Sequence, residues 1–271
     1  MNDLILTVIG FAVGTFGTLV GAGGGFILMP VLLLMYPGSD PDSLTAISLA
    51  VVFFNAASGS VAYSGMKKID FRSGIVFSIA AVPGAVLGAY AVNYINRELF
   101  NIIFGVILSA VSVFLFFRKP SVLKAPGEYP FHYKKRYIID SDDNEYSYAF
   151  ENKTGIFVSI AVGFISSMLG IGGGIIHVPA MVNLLNFPVH IATATSHFIL
   201  AIMSFAGTIT HVINGTFTWE SSVKTLYLGV GVIAGAQLGA RLSKKIQGLL
   251  ILKILAGALF LVGIRIFLLS L

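Results

Sequence analysis

Long apolar runs alternate with short polar breaks along this chain, and the runs set its architecture. They cover residues 4–36, 43–64, 73–96, 99–117, 154–187, 191–213, 223–240 and 248–271. A helix needs about 20 apolar residues to cross a bilayer, so most of these runs predict spanning helices. The first lacks a basic region ahead of it and continues far past the core of a signal peptide, so it reads as a retained segment. Residues 119–152 form the one long polar stretch. There Lys134–Asp140 and Glu145–Phe150, rich in aromatic and β-branched residues, flank an Asp/Ser/Asn turn and predict a small β-hairpin.

The pattern repeats. Gly21-Ala22-Gly23-Gly24-Gly25-Phe26-Ile27-Leu28-Met29-Pro30 returns as Gly170-Ile171-Gly172-Gly173-Gly174-Ile175-Ile176-His177-Val178-Pro179. Ser58-Gly59-Ser60-Val61 is answered by Ala206-Gly207-Thr208-Ile209, and Gly84–Ala89 by Gly235–Ala240. Three anchors in the same order at nearly constant separation mark an internal duplication. The organisation read from this is a first transmembrane repeat over 1–118, an inter-repeat segment over 119–152 and a second repeat over 153–271.

How each repeat crosses depends on its glycine run. As one helix, residues 4–36 would be about 49 Å long at 1.5 Å per residue, against a hydrocarbon core of about 30 Å. Crossing once gives four spans per repeat and parallel halves. Bending at the glycines gives five segments and inverted halves. In the inverted arrangement one face carries Lys67, Lys68, Arg72, the basic residues of 118–153, Arg241, Lys244 and Lys245, while the other carries only Arg97 and Lys224. The positive-inside rule prefers that arrangement, with the central segment cytoplasmic and both termini outside. The expected fold is therefore an all-α integral membrane protein of two homologous repeats, four to five helical segments each, inverted, with Gly-interrupted first helices.

Composition agrees and narrows the function. Charged residues make up 11% and hydrophobic ones 56%, where soluble domains carry about 25% charged residues. None of the twelve acids falls inside an apolar run. The net charge of +5 reflects membrane topology, not nucleic-acid binding. There is no cysteine, which removes disulfides and thiolate ligands. Proton relays through membranes commonly use Asp or Glu. With none available, coupling to protons would need a histidine or the substrate itself.

Three consecutive glycines in an apolar span cost about 1 kcal/mol each relative to alanine, so they need a reason. Gly23, Gly24 and Gly25, and again Gly172, Gly173 and Gly174, can unwind a helix and restart it. That leaves free peptide N–H groups and a positive dipole end inside the membrane, a cradle for an anion. Close helix packing through small residues is the competing use. No Gly-Lys-Ser/Thr follows either run, which excludes a nucleotide P-loop.

A second feature is a polar stripe: Thr193, His197, Ser204, Thr208 and His211 fall within about 60° of one another on a helix, with Leu200, Ile202, Phe205 and Ile209 directed elsewhere. Its counterparts in the first repeat, Thr45, Leu49, Ala56, Ser60 and Tyr63, are less polar, with Asn55 and Ser58 nearby. His177 stands in the first turn after the second glycine run, where the first repeat has Leu28. No His pair has metal-binding spacing with a carboxylate, and no serine sits in a Gly-x-Ser-x-Gly elbow. A metal centre and an intramembrane hydrolase are thus the weaker readings, and no cofactor is expected.

At these positions the chain resembles the TauE/SafE family of sulfite-exporter-like anion transporters. The resemblance rests on Gly21–Phe26 with Pro30, Gly170–Gly174 with Pro179, and Thr193-Ala194-Thr195-Ser196-His197, and it covers both halves outside 119–152. It implies export of sulfite, sulfonates or related organosulfur anions across a prokaryotic cytoplasmic membrane. The expected binding site combines Gly23, Gly24, Gly25, Gly172, Gly173 and Gly174 with Ser48, His177, Thr195, Ser196 and His197. The expected partners are a small anionic substrate, the lipid bilayer and a second copy of the chain.

Overall fold

The computed structural model describes residues 3–117, 133–243 and 248–268. The chain forms α1 (Asp3–Val20), α2 (Gly25–Met35), α3 (Pro41–Gly65), α4 (Phe71–Ala91), a 3₁₀ turn (Val92–Tyr94) and α5 (Arg97–Phe117). After the hairpin β1 (Tyr133–Ile139) and β2 (Glu145–Glu151) come α6 (Asn152–Leu169), α7 (Gly174–Leu184), α8 (Val189–Ile213), α9 (Trp219–Leu242) and α10 (Gly248–Leu268). The duplication is visible in helix lengths. The first repeat runs 18, 11, 25, 21 and 21 residues, and the second 18, 11, 25, 24 and 21. Each expected first helix is interrupted at its glycines, giving one long and one short segment. Among the described residues, seven helices are long and apolar enough to cross a membrane.

The two repeats interlock. Helix α1 packs along α9, α6 along α4, α5 along α10, and α3 crosses α8 at the centre. Lipid tails are as apolar as leucine, so close backbone approach must supply much of the packing energy. Gly10 and Gly14 of α1 lie on the backbones of Leu228 and Val232, while Gly84 and Gly88 of α4 lie on those of Ile160 and Phe164. Numbers rise together along both pairs, so each pair is parallel. In α3 and α8, Gly59 faces His197 and Gly207 faces Leu49. Numbers there rise along one helix as they fall along the other, so this central pair is antiparallel.

The outer faces are apolar and open. Phe157, Ile79, Val61 and Leu226 are among many large exposed hydrophobics, as expected of a surface solvated by lipid. In α8, Phe205 and Ile209 do face outward, but Leu200 does not. It is fully buried against Gly23, which corrects its expected direction. The helix is embedded on a wider arc than its polar stripe.

Hairpin β1–β2 pairs Tyr133 with Glu151 through Ile139 with Glu145 and is clamped to one end of the bundle. Asp70 caps α4 by accepting from the Ser73 N–H, and its carboxylate also accepts from Arg136 and Tyr148. Lys68 pairs with Asp140 at 3.4 Å. Phe150, Phe187 and Phe77 pack as an aromatic cluster beneath. Burial opposes ionisation of the Asp140 carboxyl, but hydrogen bonds from Asn144 and the Asp142 N–H, with the charge of Lys68, hold it well below the usual carboxylate range. Burial, then the Asp140 charge, pushes the Tyr146 phenol up to about 12.

Lys67, Lys68, Arg72, Lys134, Lys135, Arg136, Lys153 and Arg241 gather at the hairpin end. Ala240, one residue before Arg241, packs there with Tyr63 and Ile69. Arg97 and Lys224 lie at the opposite end, where Arg97 donates to the Leu33 and Ser39 carbonyls and Lys224 sits 3.8 Å from the Tyr36 ring centroid. Lys244 and Lys245 fall outside the described residues.

Candidate functional site: two helix breaks at the centre

The breaks owe their shape to glycine backbone. Gly23 and Gly24 have φ of 74° and 79°, and Gly172 and Gly173 have 76° and 72°. This left-handed region costs a residue with a Cβ roughly 1–2 kcal/mol. Gly24 and Gly173 are the N-cap residues of α2 and α7. At the first break, Ala22 and Gly23 donate back to the Gly17 carbonyl, and Ile27 and Leu28 donate to that of Gly24. The peptide N–H groups of Gly24, Gly25 and Phe26 are left with no backbone acceptor, as a helix start requires. At the second break the same holds for Gly172, Gly173 and Ile175, because Gly174 donates to Gly172 and Ile176 and His177 donate to Gly173.

The two breaks meet. A Cβ on Gly25 would lie 2.7 Å from the Ile171 carbonyl, and one on Gly174 would lie 2.5 Å from the Gly21 oxygen. Val52 of α3 wedges between them, in contact with Gly25 and Gly172. Gly23–Gly25 and Gly172–Gly174 are therefore brought together, but backbone to backbone, with the centre closed.

The expected side chains scatter around this point. Ser48 donates to the Gly170 carbonyl, which anchors the second break. Ser196, its counterpart on α8, is buried with no hydrogen-bond partner for its hydroxyl. Thr195 faces away from the centre and accepts from the Asp70 N–H, so it ties α8 to the hairpin network. His177 lies 3.2 Å from Ser159 on α6. His197 points into the first repeat, where Nε2 is 3.3 Å from the Thr18 hydroxyl and the ring meets Tyr63 edge-on at 5.4 Å. The two histidines thus serve different neighbourhoods.

Across these helices and both breaks, residues 6–266 match the family described as "Sulfite exporter TauE/SafE". The chain belongs to the TauE/SafE sulfite exporter family. Among its relatives, the "probable membrane transporter protein" YunE of Bacillus subtilis is 33% identical over 276 residues, covering 98% of this chain and 97% of that one. A "probable membrane transporter protein" of Methanocaldococcus jannaschii is 25% identical over 256 residues, with 90% and 87% covered. Another, from Haemophilus influenzae, is 25% identical over 254 residues, with 91% and 87% covered. No solved structure matches the chain. The protein is thus a multi-pass membrane transporter of the TauE/SafE family.

Three residues gain weight in this TauE/SafE chain that the stripe and the glycine runs did not single out. Thr18 donates to Asn55 Oδ1 at 3.0 Å, and Tyr63 donates to the Thr18 carbonyl at 2.8 Å. Asn55 is fully buried, and its Nδ2 has no partner. The single carboxamide of the apolar run 43–64 was the available signal for Asn55, and periodicity alone gave it no neighbour.

Proposed function

We propose that the chain is a secondary transporter that exports a small sulfur oxyanion or sulfonate across the cytoplasmic membrane by alternating access. The observation that carries this reading is the pair of interrupted helices meeting at the centre, each ending in peptide N–H groups without backbone acceptors. Such half-helix starts are where membrane transporters hold anionic groups. The sulfur chemistry comes from the family description.

The repeats are read as inverted. The antiparallel α3–α8 crossing, with α1 parallel to α9 and α4 parallel to α6, supports this. The hairpin end, with its excess of basic residues, is then cytoplasmic. Rocking one repeat against the other would part Gly25 from Ile171 on one side at a time, so the closed centre acts as the septum between two half-paths. The expected ligands remain Gly23–Gly25 and Gly172–Gly174, with Ser48, His177, Thr195, Ser196 and His197 as the candidate side chains around them. Among the described residues the buried charged side chains are Lys68, Asp70 and Asp140, all in the hairpin contact. The path itself therefore carries no fixed charge.

The test is flux of radiolabelled sulfite and ethanesulfonate in proteoliposomes, with and without a pH gradient. Saturable flux, competed by related anions and reduced in His197→Ala, is the expected result. Flux that never saturates would instead describe a channel. Absence of flux for both anions under every gradient would sink the sulfur assignment.

A further inference from the structure

Among the described residues three histidines are buried, and they are not alike. His177 and His197 each meet a hydroxyl, at 3.2 and 3.3 Å. His211 is fully enclosed, and neither of its ring nitrogens has a partner. An imidazole without added charge keeps one basic nitrogen in either tautomer and either ring orientation. A buried polar group left unpaired costs about 1–3 kcal/mol. Tyr63, the counterpart of His211 in the first repeat, closes the same position by donating to the Thr18 carbonyl at 2.8 Å. Where the first repeat has a satisfied phenol, the second has an unsatisfied base.

Two hydroxyls stand beside that base. A Cβ on Gly207 would lie 3.0 Å from the Leu49 side chain and 3.2 Å from the Ser167 hydroxyl. One turn further on, α8 carries His211 and the antiparallel α3 carries Thr45, so these two share the next level of the crossing. The end of α6 is close there too, since a Cβ on Gly170 would lie 3.2 Å from the Thr45 Cα. Thr45 and Ser167 are fully buried, and neither hydroxyl has a partner. Thr195 of α8 touches the hairpin network, and His211 follows it by about 24 Å of helix at 1.5 Å per residue. The cluster therefore lies toward the end of the bundle away from the hairpin.

Charge is sparse around it. On the elements packed against α8, Lys153 of α6 and Arg72 of α4 stand at the hairpin end, with Tyr63 near the end of α3. Tyr90 is near the end of α4, and His177 is in the first turn of α7. Asp42, one turn outward of Thr45, is the nearest acid along α3. Glu220 and Lys224 of α9 are paired with each other at 2.6 Å. No ion pair is made by His211 in the closed protein.

We propose that His211, with the Thr45 and Ser167 hydroxyls beside it, is the proton-binding site of this transporter, loaded from the end opposite the hairpin. When that end opens, water reaches the ring, and its free nitrogen takes a proton to give the imidazolium. On reclosure the cation would be stranded without a counter-ion. Protonation therefore favours the state open to that side, and acid on that side speeds release of the anion. The inference rests on the transport reading for its purpose.

The experiment follows efflux of labelled ethanesulfonate from proteoliposomes as external pH falls from about 8 to 5, the range over which an accessible imidazole charges. A sulfonate keeps its single charge throughout, so only the protein titrates. Wild type should speed up at least about fivefold, as the charged fraction of the ring rises from a few per cent to nearly all. His211→Gln, and His211→Tyr, which installs the first-repeat side chain, should each give one rate across the range. Asp42→Asn should keep the response. A wild type indifferent to external pH, a wild-type response in folded His211→Gln, or its loss in Asp42→Asn would overturn the proposal. A second measurement needs no flux: in nuclear magnetic resonance of the purified protein, the histidine-ring signal lost in His211→Gln should move with pH over the same range. A signal that stays fixed would overturn the proposal. Absence of flux with that signal titrating would fail the transport reading and leave the proton site standing.

Discussion

The break between α1 and α2 and the break between α6 and α7 share one backbone and differ in nearly every polar side chain around it. Both turn on two consecutive left-handed glycines, both start an 11-residue helix, and both leave three N–H groups without a backbone acceptor. Around the first stand Thr18, Asn55, Tyr63 and His197, joined by hydrogen bonds and a ring contact. Around the second stand Ser159, Ser166, Ser167 and His177, and of the three serines only Ser159 has a partner. Duplication therefore kept one backbone at both breaks and surrounded it with different polar groups. A transporter whose repeats exchange roles needs matching backbones, but its substrate can be chosen by one half.

Substitutions at the shared backbone should give the largest effects and should not distinguish the halves. Gly24→Ala and Gly173→Ala each force a Cβ into a left-handed residue, at about 1–2 kcal/mol, and against Val13 or Ser166. Both should lose nearly all flux and melt several degrees lower; a silent variant at either position would break the equivalence of the two breaks. Next in size is the side-chain exchange at Asn55 and Met203, which stand at matching places in the two repeats. Asn55→Met loses the buried bond from Thr18 and should reduce flux about tenfold, while Met203→Asn should leave it within about twofold. Equal responses would show that the two surroundings count alike. Smaller still, His197→Leu should reduce flux several-fold through loss of the Thr18 bond, against little change for His177→Leu, and a reversed order would move recognition to the second break.

The smallest effect lies outside the membrane. Asp140 has a folded-state pKa below its unfolded value, so it contributes stability that is present above the ordinary carboxylate range and is lost as pH falls through the depressed value. Hairpin protection from proteolysis should therefore be flat from neutral pH down to about pH 4 and fall only in stronger acid. Asp140→Asn should expose the hairpin at neutral pH while flux persists. Flux lost along with hairpin protection would show that the hairpin takes part in transport.

Much of this was legible in the residues. The glycine runs and their following prolines announced both breaks, because only glycine pays so little for φ near +75°. The hairpin showed itself through aromatic and β-branched residues around a polar turn. What could not be read was adjacency. Helical periodicity placed Thr193, His197 and His211 on one face of α8, but Thr195 found the α4 cap and Leu200 found Gly23 only through the packing of other helices. Asn55 was hidden for the same reason, since its meaning depends on Thr18 and Gly24, which approach it only when α1 turns back on itself. The interlocking of α1 with α9 depends on backbone contact at Gly10 and Gly14, which resemble any other small residues in an apolar run.

In alternating access, the closed meeting of the two breaks opens to each side in turn. The natural chain has no cysteine, so Ala22→Cys places one thiol beside Gly174. Its labelling by a membrane-impermeant maleimide should be followed in oriented vesicles, from each side, with and without methanesulfonate. Alternating access at this meeting predicts slow labelling from both sides and protection by the anion. Labelling from one side only, or labelling indifferent to the anion, would contradict it.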